Sequence, residues 1–497
     1  MKKKSLLFLS LLVTIITYAQ VGIGTVTPDP SSMLDIQSDS QGLLIPRMTT
    51  IERNAIASPV ESLLVFDTDI DAYFYYDTTT TTWLKILTNV LERDNYKLIK
   101  SAADLAPELA AGGSSYLLDE NTYYEINGTI NLTAPINLNN AYVSGLDVGE
   151  DILSFSGTVF EGDTGGSIRN VKITGGGTAF NITGAGGAAS ALLLVQNTIV
   201  DGVGDVGSIS NIGVYFSNIV QFINNSDGIT YSNIGNLLLN NQAWLDTNGG
   251  TYETFTGTFG LIEKVSGLST VASGATGIDV SGSPTVGNGI IEGTVFSGGG
   301  SYINGYPAAD TYPGYNFSVN WNVNAPGIPR ESDDNASGNF YIQRNSTILN
   351  PSFSIAGGVP IDALILPGQM FRFSSSGTAG PSADNNYLQY EGKETRTFSV
   401  RGNLAYEPTT ATGTETVHVF FIRRYNSSGV SQGVPLGTEV YEEVGVGTED
   451  NLVRAIPLSG KVTLNPGDYV RIIGLAITQG TTARSDIRIY SVSLTLD

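Results

Sequence analysis

The segments SISNIGVYFSNIVQFINN, residues 208–225, and ITYSNIGNLLLNN, residues 229–241, decide the fold of this chain. Each places Asn or Gly beside short runs of Ile, Val and Leu, and this pattern recurs irregularly, at roughly 20–25 residues, across residues 115–305. Such a period predicts a right-handed parallel β-helix, with apolar side chains stacked inside and Asn or Gly at left-handed corners. An antiparallel sandwich is the alternative fold for this part of the chain.

The composition is typical of an all-β protein that is built without disulfide bonds. The 497 residues include 59 Gly and no Cys, and only 14% are charged. A composition rich in Gly, Asn, Thr and Ser favours strands joined by tight turns. The 47 acidic residues outnumber the 25 basic ones, which gives a net charge of −22. Because this charge repels phosphate backbones, we expect no nucleic-acid partner.

The amino-terminal residues 1–19 are interpreted as a secretory signal peptide. Lysines at positions 2–4 precede an apolar run from Leu6 to Ile16, and small or polar residues follow as far as Ala19. The run is too short for a membrane span, which takes about 20 apolar residues. We therefore expect cleavage after Ala19 and a secreted or cell-surface protein, with no transmembrane segment in the mature chain.

Residues 20–87 read as a small β-rich attachment module, with short apolar strands separated by Gly, Pro and Asp. Its motifs, in order, are VGIGT (21–25), LDI (34–36), GLLIPRMT (42–49), ERNAI (52–56) and LLVFDTD (63–69). This series resembles the amino-terminal module of many secreted proteins of Bacteroidetes-type bacteria, which also precedes tail-fibre-like domains. The resemblance implies an extracellular structural module, often part of an oligomeric fibre, without known catalytic residues.

Residues 88–114 are interpreted as a linker followed by a short capping helix, although a stalk between subunits is an alternative for the polar part. Ser101 and Asp104 approximate a capping box, Pro107 keeps the helix short, and glycines at 112 and 113 end it. We expect this helix to cover the first coil of a β-helical shaft at residues 115–305. The stretch at residues 100–132 also resembles the start of β-helix domains in tail-fibre-like proteins.

Residues 315–497 carry longer strands with clean alternation, such as RTFSVRGNLAYEP (396–408) and ETVHVFFIRRY (415–425). This pattern predicts an antiparallel sandwich of the jelly-roll type. The segments VTLNPGDYVRI (462–472) and IRIYSVSLTL (487–496) resemble the tumour-necrosis-factor and complement globular-head superfamily. That resemblance implies a homotrimer.

One acidic run is a candidate metal site. Asp67, Asp69 and Asp71 form a D-x-D-x-D pattern that indicates Ca²⁺ binding. Ala72, however, stands where an EF-hand loop needs Gly, and Thr78 stands where it needs Glu. The alternative is therefore a solvated hairpin turn, and no other cofactor is predicted.

Aromatic residues concentrate between the two large β regions, where they are candidate ligand-binding residues. Their rings could stack on sugars, while packing between domains or subunits is the alternative. The set comprises Tyr302, Tyr306, Tyr312, Tyr315 and Trp321.

The sequence favours a non-catalytic function in adhesion or recognition, with a glycan or another cell-surface component as partner. Parallel β-helices also include polysaccharide lyases and hydrolases, and a hydrolase needs two carboxylates across a groove. No close Asp pair lies on one predicted strand, although neighbouring coils can bring distant carboxylates together. The single histidine, His418, cannot build a triad. A structural filament or matrix component is the third hypothesis.

Overall fold

The computed structural model describes residues 20–86, 95–186, 191–342, 359–361, 366–375, 387–408, 416–435, 437–445, 452–478 and 487–497. The chain divides into two compact units, Met1–Arg93 and Asp94–Asp497. The predicted signal peptide, residues 1–19, lies outside the described residues. Among the described residues, no helix has the length and apolar character needed to cross a lipid bilayer.

The first unit contains a four-stranded sheet in the order β3-β4-β5-β6 and a separate parallel pair of strands, β1 and β2. Helix α1 (Thr50–Asn54) starts with a capping box between Thr49 and Glu52. The strands are β1 (Val21–Ile23), β2 (Leu34–Ile36), β3 (Arg47–Met48), β4 (Leu64–Asp67), β5 (Ala72–Asp77) and β6 (Thr82–Lys85). Its small core is formed by Val65, Ala72 and Phe74.

The second unit begins with a parallel β-solenoid of about eight turns. We call the sheet that runs from β7 to β29 the first sheet. Its strands are β7 (Tyr96–Ile99), β9 (Tyr123–Ile126), β10 (Thr129–Asn131), β12 (Tyr142–Ser144), β13 (Ile152–Ser154), β15 (Gly166–Arg169), β16 (Lys172–Thr174), β18 (Leu192–Asp201), β20 (Val214–Ile223), β22 (Asn236–Trp244), β24 (Thr258–Val271), β26 (Thr285–Glu292), β27 (Val295–Gly298) and β29 (Trp321–Asn324).

We call the nine-stranded sheet that runs from β8 to β28 the second sheet. Its strands are β8 (Tyr116–Leu117), β11 (Ile136–Asn137), β14 (Thr158–Gly162), β17 (Thr178–Thr183), β19 (Asp205–Ser210), β21 (Ile229–Ser232), β23 (Thr251–Thr256), β25 (Thr276–Asp279) and β28 (Ser301–Asn304). The strands pair in parallel throughout both sheets. The predicted parallel β-helix is therefore confirmed, and the antiparallel alternative for this region is wrong.

The solenoid strands extend past both ends of the predicted range 115–305, because β7 precedes it and β29 follows it. Coil length also varies more than the sequence period indicates. It is 19 residues between the paired Tyr123 and Tyr142, and 32 between Gly289 and Trp321.

The core lies between the two sheets and stacks side chains from successive coils. Leu193, Tyr215, Leu237 and Ile262 form one such column, since each pairs with the next in register. All four are at most 2% exposed, and burying one Leu or Ile contributes about 1.5–3 kcal/mol. Gly289 continues the column, since it pairs with Ile262. The position has no room for a side chain, because a Cβ there would come 2.2 Å from Cδ2 of the Trp321 ring.

A column of left-handed residues forms the bend within the long strands of the first sheet. Its members share φ values between 46° and 61°, and they are Asn170, Asn197, Ile219, Asn241 and Ser266. Nδ2 of Asn197 donates to Oδ1 of Asn170 at 2.9 Å. The expectation that Asn occupies left-handed corners is confirmed.

The predicted cap is present at the first coils. A 3₁₀ turn (Ala102–Leu105) leads into helix α2 (Ala106–Gly112), and Ser101 and Asp104 form the predicted capping box. Leu105 is 2% exposed and joins the solenoid core. Glu108 accepts a hydrogen bond from the Tyr124 hydroxyl at 3.1 Å, which ties the helix to strand β9.

The remainder of the chain forms two antiparallel sheets, in line with the predicted sandwich. A 3₁₀ turn (Asp333–Asn335) precedes it, and buried residues of both sheets share one core. The strands are β30 (Ser337–Ile342), β31 (Val359–Pro360), β32 (Leu366–Phe371), β33 (Phe373–Ser374), β34 (Leu388–Tyr390), β35 (Arg396–Pro408), β36 (Thr416–Tyr425), β37 (Ser431–Gly433), β38 (Val440–Val444), β39 (Arg454–Leu464), β40 (Tyr469–Thr478) and β41 (Ile487–Leu496).

Candidate functional site

The outer face of the second sheet carries a continuous column of polar side chains. Each member pairs in register with the next one along the solenoid, so neighbouring side chains are spaced by about 4.8 Å. The column consists of Glu161, Asn181, Ser208, Thr230, Thr254, Asp279 and Asn304. We call it the polar column.

A second line of hydroxyl groups runs beside the polar column, two residues further along each strand. Its members are Thr183, Ser210, Ser232 and Thr256. The Ser210 hydroxyl donates to Oγ1 of Thr183 at 3.1 Å. Together the two lines present hydroxyl, amide and carboxylate groups on one flat face.

A groove with a volume of about 430 Å³ crosses this face. It spans strands β14 to β23, so residues far apart in sequence meet in it. Its lining consists of Thr158, Thr178, Phe180, Asn181, Asp205, Gly207, Ser208, Asp227, Gly228, Ile229, Thr230, Thr251 and Thr254.

Two carboxylates from neighbouring coils line the groove, and backbone amides orient both. Oδ1 of Asp205 accepts a hydrogen bond from the amide of Gly207 at 2.8 Å. Oδ1 of Asp227 accepts from the amides of Gly228 and Thr251 at 2.9 and 2.8 Å. The pKa of Asp205 is raised, mainly by burial and further by the negative charge of Asp227, against the opposing Gly207 hydrogen bond.

The structure therefore brings together a carboxylate pair that sequence reasoning missed. Asp205 and Asp227 stand 22 positions apart, at the starts of successive turns of the second sheet. The available signal was the recurrence of Asp just before an Ile- or Val-containing strand in VGDVGSIS and NSDGITYS. Without the coil register, that recurrence could not be assigned to one groove.

The aromatic residues singled out in the sequence lie at the end of the solenoid, where two of them are buried. Trp321 and Tyr306 are 2% and 8% exposed, and Nε1 of Trp321 donates to the Tyr306 hydroxyl oxygen at 3.1 Å. The Tyr306 hydroxyl donates in turn to the carbonyl of Pro284 at 2.7 Å. Tyr302 is part-exposed, and its hydroxyl donates to the carbonyl of Gly298.

Tyr312 and Tyr315 contact the carboxy-terminal sandwich. The Tyr312 hydroxyl donates to Oε2 of Glu391 at 2.8 Å, and the Tyr315 ring stacks on Phe371 with 3.9 Å between centroids. Buried Arg372 completes this junction by donating to the carbonyl of Trp321 at 2.8 Å. These contacts join the two β regions, and ligand binding by the five aromatic residues stays a prediction.

The D-x-D-x-D run lies at the β4–β5 hairpin, where protein groups already contact its first two members. Asp67 is fully buried beside Arg53, with 3.3 Å between Oδ2 and Nε, and it accepts from the Thr50 hydroxyl at 2.8 Å. Asp69 accepts from the amide of Thr50 at 3.0 Å. Within the described ranges, no group of three or more Asp, Glu or His residues is placed to hold a metal ion. Ca²⁺ binding by Asp67, Asp69 and Asp71 stays a prediction.

His418 is fully buried in the sandwich, and its Nδ1 lies 3.2 Å from the hydroxyl oxygen of Tyr406. Its ring also lies 5.5 Å from the Tyr406 ring, measured between centroids. His418 therefore packs inside the sandwich against Tyr406.

Comparison with known proteins identifies one family match, at the amino-terminal end. The family described as the phage tail-like trimerisation region matches residues 22–101. This match supports a tail-fibre-like character for that region of the chain. No curated protein matches the chain.

Three solved structures are similar to parts of the chain. The Eiger tumour necrosis factor of S. frugiperda is 10% identical, with a TM-score of 0.23, over 33% of this chain and 91% of that one. The enzymatically active domain of tailspike protein 4 from bacteriophage CBA120 is 11% identical, with a TM-score of 0.25, over 91% and 78%. An isomalto-dextranase of Arthrobacter globiformis T6, solved with panose, is 16% identical, with a TM-score of 0.14, over 29% and 20%. Similarities at this level assign no function to the chain.

Proposed function

We propose that this protein is an exported, tail-fibre-like surface protein that assembles as a homotrimer and recognises a glycan through the outer face of its second sheet. The main observation that supports this proposal is the polar column. Its hydroxyl, amide and carboxylate groups form a regular series of hydrogen-bonding partners along one direction. A chain of sugar units offers hydroxyl groups in a comparable repeating arrangement.

The groove gives this face a place where a glycan could be partly enclosed. Thr230 lies near its middle, with Ser208 and Thr254 beside it in the polar column. The backbone amides that hold Asp205 and Asp227 fix the orientation of two strong acceptors for sugar hydroxyls. An uncharged glycan fits better than an acidic one, since the groove contains two carboxylates and no basic side chain among its lining residues.

Assembly as a homotrimer is supported by the match of residues 22–101 to a phage tail-like trimerisation region. Three copies would present three equal glycan sites and so bind a surface more tightly than one copy does. The carboxy-terminal sandwich would act as a jelly-roll head related to tumour necrosis factor and complement heads. Tyr302, Tyr312 and Tyr315, which are part-exposed, are a second candidate contact surface.

The test is retention of the mature chain on a panel of immobilised polysaccharides, with product formation measured in the same samples. Thr230→Arg should block the groove and abolish retention. Thr270→Arg is the matched control, because Thr270 is equally half-buried and points outward from the first sheet. Equal retention of both variants and the unmodified protein would exclude the groove as the glycan site.

A glycoside hydrolase is the second candidate function, favoured by Asp205 and Asp227. A carboxyl group with a raised pKa beside a second carboxylate is the arrangement that acid and base roles in glycoside hydrolysis require. Release of new reducing ends, lost in both Asp205→Asn and Asp227→Asn, would establish this function. Retention without products supports recognition alone, whereas assembly without retention or products supports a structural filament.

A further inference from the structure

The outer face of the first sheet differs from that of the second, because it carries a run of apolar side chains. Leu193, Tyr215 and Leu237 point into the core, so the residues on either side of them in the strands point outward. These outward residues are mostly aliphatic or aromatic. They are Leu192, Leu194, Val214, Phe216, Leu238 and Leu261, and we call them the outer apolar stripe.

Three members of the outer apolar stripe, Leu194, Phe216 and Leu238, belong to one register column that runs the length of the first sheet. From the first coil onward its members are Tyr96, Tyr123, Tyr142, Ser167, Leu194, Phe216, Leu238, Glu263, Ile290 and Asn322. Only Glu263 among them is charged, although the whole chain has a net charge of −22. Within this column, Leu194, Phe216 and Leu238 form an uncharged apolar run, and a contiguous apolar patch at the surface marks an interaction site.

The position of this column indicates which partner covers it. Its first member, Tyr96, belongs to β7, and both lie within the range 22–101 that matches a trimerisation region. Tyr96 is 43% exposed and its ring stacks on Tyr123, with 6.2 Å between centroids. Three chains held together through residue 101 would therefore begin their first sheets side by side.

The stripe then continues the same surface along the following coils. Tyr142 is 48% exposed and Leu192 is 49% exposed, whereas Leu194, Phe216 and Leu238 are half-buried. A second copy of this chain offers an equally apolar surface, and Glu263 is the one charged member of the column that either partner would have to desolvate. The polar column would stay free, because it lies on the other sheet.

We propose that the outer apolar stripe is a contact surface between copies of this chain, so that the solenoids pack along their first sheets in the trimer. This inference depends on the three-chain assembly proposed above. It adds a defined interface, beyond the matched residues 22–101, that leaves the second sheet exposed to ligand.

The absence of cysteine from the chain allows a direct test by maleimide labelling. Leu194→Cys places a thiol in the stripe, and Thr230→Cys is the matched control on the second sheet, since both positions are half-buried in the isolated chain. We expect Leu194→Cys in the native assembly to label at least ten-fold more slowly than Thr230→Cys. Both should label at the same rate after unfolding.

Light scattering on the same samples separates the possible outcomes. A mass of three chains with equal labelling rates would overturn the stripe as an interface while leaving the trimer intact. A mass of one chain would overturn both the trimer and the stripe, whereas glycan retention is measured independently. Phe216→Lys with Leu238→Lys gives a second readout: the paired change should lower the assembled fraction, whereas Ser208→Lys with Thr230→Lys should not.

Discussion

Lys264 and Glu253 form an ion pair inside the solenoid core, with 2.9 Å between Nζ and Oε1 and side chains that are 2% and 0% exposed. Nζ of Lys264 also donates to Oε1 of Gln242 at 3.2 Å, and the Tyr252 hydroxyl donates to the same oxygen at 2.9 Å. Burial raises the pKa of Glu253, although the charge of Lys264 opposes this shift. The pair therefore joins strands β23 and β24 through a polar contact in an otherwise apolar interior.

Removing one member of this pair should destabilise the solenoid strongly. Lys264→Met leaves an uncompensated buried carboxylate, so we expect the free energy of unfolding to fall by about 3–5 kcal/mol. Urea denaturation followed by circular dichroism measures the change. The double change Lys264→Met with Glu253→Gln removes both charges and should recover most of the loss. A double variant as unstable as the single one would mean that packing, not charge, sets the cost.

Ile219 is the position where a simple substitution should stabilise the protein. It has φ of 57° in a column otherwise occupied by Asn or Ser, and it is 45% exposed. A left-handed conformation costs a β-branched residue about 1–2 kcal/mol, so Ile219→Asn should raise the unfolding free energy by about 1 kcal/mol. The reverse change at the next coil, Asn241→Ile, should lower stability by a similar amount. If both variants unfold like the unmodified chain, the bend is not strained by Ile219.

Asn225 should be far more sensitive to substitution than its neighbour Asn224. The Asn225 side chain is 2% exposed, accepts from the amide of Val203 at 3.0 Å and donates to the carbonyl of Val200 at 3.0 Å. Asn225→Ala leaves these backbone groups without their partner, so a loss of about 1–3 kcal/mol is expected. Asn224→Gly keeps the left-handed backbone at an exposed site and serves as the control. Thermal unfolding of the two variants should differ by several degrees.

Asp205→Asn should change the pH dependence of stability in a defined direction. The raised pKa of Asp205 means that its ionisation is less favourable in the folded chain than in the unfolded one. The unmodified protein should therefore lose stability, relative to Asp205→Asn, as the pH rises from below 3.8 through the folded pKa. Above that pKa we expect the variant to be more stable by at most about 1 kcal/mol, because solvent screens a groove residue.

Urea titrations of both proteins between pH 3 and pH 7 would measure this difference. Asp279→Asn, on the same face but away from Asp227, controls for the general loss of one negative charge. Parallel stability curves for Asp205→Asn and the unmodified protein would show that folding does not raise the pKa of Asp205.

The sequence predicted those parts of the fold that depend on local pattern. Alternating apolar residues, the capping box at Ser101 and Asp104, and Asn at corners such as Asn197 are all read over a few residues. The polar column and the outer apolar stripe were not predicted, because each joins residues through the register of successive coils. With coil lengths from 19 to 32 residues, position in sequence does not reveal which residue lies beside which.

The same dependence on coil register explains why the sequence did not predict the candidate site. Asp205 and Asp227 lie on different coils, and only the pairing of β17 with β19 and of β19 with β21 brings their turns to one groove. Lys264 is a further residue that the sequence did not place, because its charge gives no hint of its inward position. Its place in the alternation after Ile262 was the available signal, since residues two apart on a strand share a face.

The uneven coil lengths have a consequence for how this scaffold could change. The longest coil adds its residues between Asn304 and Trp321, outside the paired strands, while Trp321 still pairs with Gly289. The chain can therefore lengthen between two paired strands without changing their register, while Tyr306 and Phe317 of this segment stay buried in the core. Lineages of such proteins could vary this turn by insertion at its exposed residues, and a designer could graft a foreign peptide at Ala308 and Ala309 while keeping the buried Tyr306 and Phe317.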